Sequence, residues 1–139
     1  MDYEKLYKDG DRSIKTIVEY AIHLKNTGKI EDAIATLEEG VEKYPTSSLL
    51  YTLIGKIYLQ ENEFEKALIT LKKAYNLDKF NYQAIIGLVK CFRKLGLKRN
   101  KEYFEKVAFI LYPFKETQEG LPGSEELEKI AEEGRDLIE

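Results

Sequence analysis

Residues 48–81 read SLLYTLIGKIYLQENEFEKALITLKKAYNLDKFN. The stretch holds two amphipathic helical patterns, broken at Glu61-Asn62. Displaced by 34 residues in either direction, the pattern recurs. Ala67 falls on Ala33, Ile54 on Tyr20 and Leu88, and Lys79 on Pro45 and Pro113. A helical hairpin repeated at this period cannot bury its apolar faces singly, so neighbouring hairpins must stack into one core. The fold class this implies is all-α, an array of antiparallel helix pairs.

Towards the N-terminus, Ser13 offers a cap to a helix over 14–26, and Gly28 supplies the left-handed turn that ends it. A second helix over 30–43 is stopped by Pro45. Residues 1–13 form a charged lead-in with Tyr3, Leu6 and Tyr7 at helical spacing. The central hairpin has helices near 48–60 and 63–76, with Asn62 where Gly28 stood. Towards the C-terminus a third hairpin runs near 81–94 and 99–111, turning at Gly96 and stopping at Pro113. Residues 116–123 (ETQEGLPG) are a linker rich in turn residues, and Ser124 caps an acidic final helix over 124–139.

The chain of 139 residues is one domain by length, able to build a core without staples. Its net charge of −3 argues against a general nucleic-acid binder. Cys91 is the sole cysteine, which excludes an intrachain disulfide and makes a cytoplasmic compartment the default. The polar start MDYEKLYKDGDRS is no signal peptide, and no apolar run approaches the ~20 residues of a membrane span.

In the spacing of its large and small residues the chain resembles the tetratricopeptide repeat family, with repeats at 14–47, 48–81 and 82–115. Numbering each repeat from 1, the small position 8 holds Ala21, Gly55 and Val89. Position 20 holds Ala33, Ala67 and Lys101, and position 27 holds Gly40, Ala74 and Ala108. The large positions 4, 7 and 11 hold Ile17, Tyr20 and Leu24, then Tyr51, Ile54 and Tyr58, then Ile85, Leu88 and Phe92. Small residues let two helices approach closely while large ones fill the grooves between them. Repeat 3 departs from the pattern. Lys101 replaces a small residue, and Phe104 stands one place before Glu105, where the large residue is expected. That points to a second helix rotated or shifted by one residue. The resemblance implies a right-handed superhelical α-solenoid of three hairpins, a non-enzymatic scaffold for protein–protein interaction.

Positions 3, 6 and 10 meet the preceding hairpin in such arrays. They are Leu50, Leu53 and Ile57 in repeat 2, and Ala84, Gly87 and Cys91 in repeat 3, but Thr16, Glu19 and His23 in repeat 1. The polar set predicts that nothing large and apolar stacks before Ile14, where the array begins. At the other end Val107–Phe114 (VAFILYPF) is apolar all round its helix and needs cover. The stripe Leu127, Ile130, Ala131 and Ile138 fits residues 124–139 to that capping role. The same segment has a net charge of −5, so a rival use is to occupy a basic groove in its own chain or a neighbour's, which would be self-association.

Positions 2, 5, 9, 12 and 13 line the concave groove in this family. Here they are Lys15, Val18, Ile22, Lys25 and Asn26, then Leu49, Thr52, Lys56, Leu59 and Gln60, then Gln83, Ile86, Lys90, Arg93 and Lys94. Six are basic and none acidic, whereas Glu31, Asp32, Glu38, Glu39, Glu63 and Glu65 fall on the opposite surface. Apolar anchors among charges of one sign suit a protein or peptide segment carrying acidic and apolar residues. Members that bind chaperones clamp a terminal carboxylate with Lys and Asn at positions 5 and 9 of one repeat. Repeat 1 has Val18 and Ile22 there, so that clamp is not carried over.

His23 with Glu19 has no nucleophile, Gly-rich loop or second His beside it, and reads as a surface pair. Cys91, on the stripe between repeats 2 and 3, reads as a buried and inert thiol. Tyr20, Tyr51, Tyr58 and Tyr75 read as core rather than as base-stacking platforms. No catalytic residue, metal ligand or cofactor is expected. The alternatives to an adaptor are a small chaperone or assembly factor using the same groove and an RNA-binding helical repeat. The last would need more Arg or aromatic residues on that face.

Overall fold

The structure, a computed structural model, describes residues 1–114, and these hold seven helices and no strand. They are α1 (Tyr3–Lys8), α2 (Ile14–Asn26), α3 (Ile30–Lys43), α4 (Ser48–Gln60), α5 (Phe64–Leu77), α6 (Tyr82–Leu95) and α7 (Lys98–Leu111). Each helix packs against the next in sequence from α1 to α7, and α4 also packs directly on α6. No other pair of next-but-one described helices makes comparable contact. The first helices of the hairpins therefore line the inner side of a curved stack. The linker and the capping helix expected over 116–139 lie outside the described residues.

The 34-residue phase is written into the helix ends. Ser13, Ser47 and Asn81 each cap the following helix, accepting the backbone N–H of Thr16, Leu50 and Ala84 at 3.3, 3.3 and 3.1 Å. Each first helix closes with one pair of bonds. The N–H of Lys29, Glu63 and Leu97 reaches back to the carbonyl of Leu24, Tyr58 and Phe92, and that of Gly28, Asn62 and Gly96 to Lys25, Leu59 and Arg93. That geometry needs a left-handed residue, and φ is +84° at Gly28, +59° at Asn62 and +73° at Gly96. Asn is the best tolerated substitute for Gly there.

Two apolar clusters form the core, one built on Ile17, Leu37, Leu50 and Ile54, the other on Leu71, Ile85, Leu88, Phe92 and Phe104, with Tyr58 against both. Leu71 is fully buried between two glycines on different helices. A Cβ at Gly55 would lie 2.5 Å from Leu71 Cγ, and one at Gly87 would lie 2.8 Å from its Cδ1. One leucine thus ties α5 to α4 within its repeat and to α6 of the next.

Two expectations are corrected. The array does not begin at Ile14, because α1 packs on α2. Tyr7 stacks on Tyr20 with ring centroids 4.6 Å apart, gives its hydroxyl to Glu39 at 2.6 Å, and lies under the Arg12 guanidinium at 3.6 Å. The apolar ring with a polar tip suits the otherwise polar end of the stack. Moreover Tyr44 donates to the Arg12 carbonyl as Tyr112, 68 residues on, donates to that of Phe80, 68 residues beyond Arg12. Helix α1 therefore stands at the phase of a second helix of a hairpin.

The second helix of repeat 3 is not shifted either. Its backbone bonds Lys101 N–H to Leu97 and Tyr112 N–H to Ala108 fall in phase with those from Ala67 and Asp78. Only the side chains differ. Phe104 fills the core from position 23, stacked on Phe92 at 5.6 Å and edge-on to Tyr75 at 5.2 Å. Lys101 and Glu105 pair at 3.1 Å on the face that Ala67 and Leu71 use for packing. Within Val107–Phe114, residues 107–113 are half-buried and Phe114 is exposed.

Candidate functional site

Helices α2, α4 and α6 present their outer stripe on the inner face of the stack, where two adjoining pockets open. The first, about 270 Å³, lies between α2 and α4 and is rimmed by Val18, Ile22, Lys25, Asn26, Lys56 and Gln60. Ala21, Leu37, Leu53 and Ile57 give it an apolar floor. The second, about 370 Å³, lies between α4 and α6, and Lys56 and Gln60 belong to both. It is walled by Lys90, Arg93 and Lys94, with Leu59 and Phe64 as its apolar surface and Asn62 at its edge. No carboxylate lines either pocket.

Ten of the fifteen residues expected in the groove line these two pockets. Lys15, Leu49 and Gln83 are exposed outside them, Gln83 accepting a hydrogen bond from the Lys56 ammonium at 3.3 Å. Ile86 is half-buried and lines neither. Thr52 is buried, at 3% exposure. Its hydroxyl donates to the Ser48 carbonyl and accepts from the Asn81 amide, both at 2.8 Å, so it holds α4 to the cap of α6 rather than facing outward.

The floors were missed because Ala21, Leu37, Leu53 and Ile57 sit on stripes read purely as helix–helix contact. A pocket opens above them between α2 and α4, although Ala21, Leu37 and Ile57 themselves stay buried. Phe64 follows the left-handed Asn62 turn directly, a position that could have marked it.

Glu31, Asp32, Glu38, Glu39, Glu63 and Glu65 are all exposed, and none lines either pocket. Attraction from the groove therefore acts on acidic groups, within a Debye length of ~8–10 Å. Cys91 is wholly buried, and burial pushes its thiol up to about 12, away from nucleophilic use. The His23 imidazole is exposed, and the carboxylate near it, 3.8 Å from Nε2, is that of Glu4 rather than Glu19. The described residues hold no cluster of three or more His, Cys, Asp or Glu that could bind a metal. No described helix is long and apolar enough to cross a membrane.

A curved stack of helical hairpins with an exposed inner groove is an α-solenoid. Residues 49–81 match the tetratricopeptide repeat model, so the middle hairpin is such a repeat, and the stack has the fold of a tetratricopeptide-repeat array. Among solved structures, the chain is similar to MamA, at 19% identity and a TM-score of 0.73, over 98% of this chain and 80% of that one. It is also similar to the first tetratricopeptide repeat domain of Spaghetti (RPAP3), solved with the HSP90 peptide SRMEEVD. There the identity is 16% and the TM-score 0.66, over 88% of this chain and 94% of that one. Comparison with curated protein sequences gives no match.

Proposed function

We propose that this chain is a non-enzymatic interaction scaffold whose α2–α4–α6 groove holds a protein segment carrying acidic and apolar residues. The observation that carries the reading is the pair of adjoining pockets with apolar floors, walled by Lys25, Lys56, Lys90, Arg93 and Lys94 and by no acid. The neighbour of similar fold was solved with a peptide of the same character, three acids with Met and Val in SRMEEVD. Apolar side chains entering the floors supply the dwell time, while the lysines and Arg93 attract and orient the segment. Val18 and Ile22 make the α2 end an apolar seat rather than a carboxylate clamp.

Fluorescence anisotropy with an acidic-apolar peptide tests this. Binding should weaken steadily with salt, and Leu59→Ala should speed dissociation more than it slows association. Competition by single-stranded RNA stronger than by the peptide would overturn the reading in favour of a nucleic-acid ligand.

A further inference from the structure

The two pockets of the inner face are unequally charged. Lys25 and Lys56 are the cations of the α2–α4 pocket, whereas Lys56, Lys90, Arg93 and Lys94 surround the α4–α6 pocket. Among the described residues, none of those four makes an ion pair with a carboxylate. Lys56 instead gives its ammonium to the Gln83 amide oxygen at 3.3 Å. On α7, by contrast, Lys98 and Lys101 are each paired with a glutamate one turn on.

Such an arrangement costs stability. Lys90 stands three residues before Arg93 and four before Lys94 on one face of α6, where like charges repel by ~0.2–0.5 kcal/mol per pair. The helix macrodipole offsets this for Arg93 and Lys94, which lie in the last turn of α6. It does so neither for Lys90, a turn further in, nor for Lys56, which reaches the same pocket from α4. A single carboxylate would leave most of the charge around this pocket of about 370 Å³ uncompensated. A phosphoryl group, carrying about −1.5 to −2 at pH 7 on three acceptor oxygens, matches it better.

Resting on the groove reading above, we propose that the α4–α6 pocket receives a phosphorylated serine or threonine of the partner segment. Arg93 offers its planar fork to two phosphoryl oxygens, and Lys56, Lys90 and Lys94 act as point charges around the third. The Gln60 and Asn62 amides line the same pocket as neutral donors. The α2–α4 pocket, which shares Lys56 and Gln60 and has an apolar floor, takes an apolar side chain of the same segment. Packed helices lie ~8–10 Å apart, so the two seats are about three extended residues apart along the segment. Capture by this groove is thereby switched on by phosphorylation of the partner.

Three peptides that differ at one position test this on the unsubstituted protein. Each carries leucines three residues to either side of a serine, a glutamate or a phosphoserine. The phosphoserine peptide should bind about tenfold more tightly than the glutamate peptide, and the serine peptide most weakly. That advantage should shrink as pH falls from about 7.5 to about 5.5, because a phosphate takes up its second proton near pH 6. Glutamate, lysine and arginine do not titrate in that window, and no His, Asp or Glu lines the pocket. The chain with Lys90→Gln and Arg93→Gln, folded by circular dichroism, should bind the phosphoserine and glutamate peptides alike. Inorganic phosphate brings no apolar anchor and should displace little phosphopeptide at ~10 mM and matched ionic strength. Equal affinity of the phosphoserine and glutamate peptides would overturn the phosphoryl site and leave the groove reading standing. An advantage that survives in the double variant, or full displacement by inorganic phosphate, would overturn it too. Binding by none of the three peptides would overturn both.

Discussion

Adding one methyl group at Gly55 is the sharpest probe of how the repeats lock together. An alanine Cβ there would lie 2.5 Å from Leu71 Cγ and 2.6 Å from its Cδ2, far inside the ~3.5–4.0 Å of favourable carbon contact. Leu71 cannot step aside. It is fully buried, and its Cδ1 already packs so closely on Gly87 that a Cβ built there would lie 2.8 Å from it. Two effects oppose each other. Replacing Gly by Ala inside a helix stabilises by roughly 0.5–1 kcal/mol through backbone entropy. Overpacking a rigid core costs ~1–3 kcal/mol. With neither flank free, the second wins, and Gly55→Ala should destabilise by about 1–2 kcal/mol in urea titrations followed by circular dichroism. The sign should reverse once the socket is emptied. Leu71→Ala alone costs ~2–5 kcal/mol, and on that background Gly55→Ala should become stabilising by up to ~1 kcal/mol. If Gly55→Ala stabilises the unmodified protein, the contact between α4 and α5 is looser than described and the reasoning fails.

Other consequences follow from the same packing. Asn81 caps α6 while its amide donates to Ser48 at 2.7 Å and Thr52 at 2.8 Å, so Asn81→Ala should cost ~1–2 kcal/mol or more. Ser13→Ala, which removes a cap with fewer ties, should cost less in the same urea titration. Cys91 should resist thiol reagents in the native protein and react fully in denaturant. Burial raises its thiol from 9.0 and the Tyr75 phenol from 10.0, each to about 12. Above pH 9 the unfolded chain releases these protons first, so the folded state binds more of them and loses stability as pH rises towards 12. A denaturation midpoint that stays level between about pH 8 and about pH 11 would contradict that burial.

The period of 34 residues was legible because small residues such as Ala33, Ala67 and Gly55 recur in phase, and caps and left-handed turns repeat with them. Helix α1 was not, although Tyr3, Leu6 and Tyr7 already stood at helical spacing. The stripe Thr16, Glu19 and His23 looked unpartnered, yet α1 packs on α2, with the Tyr7 ring on Tyr20 and its hydroxyl on Glu39. In repeat 3 the misplaced Phe104 suggested a displaced backbone, yet an aromatic at position 23 reaches the same cavity without one. At the site, a periodic stripe picked out ten residues that line the two pockets. It could not show that Asn81 ties down Thr52, since that depends on a side-chain network across 29 residues. Nor could it show that a pocket opens between α2 and α4 above the buried Leu37 and Ile57.

The central claim, that the basic inner face is the binding surface, meets its most direct test in one dissociation constant. A labelled acidic-apolar peptide is titrated with the unmodified chain and with a variant carrying Lys56→Glu, Lys90→Glu and Arg93→Glu. All three residues are exposed, so circular dichroism should show the fold unchanged. The account predicts slower association and a dissociation constant raised tenfold or more at low ionic strength, the effect of about 1.4 kcal/mol, shrinking as salt is added. An unchanged dissociation constant in the folded variant would contradict it and move the search to the outer face of α3 and α5 or to the ends of the stack.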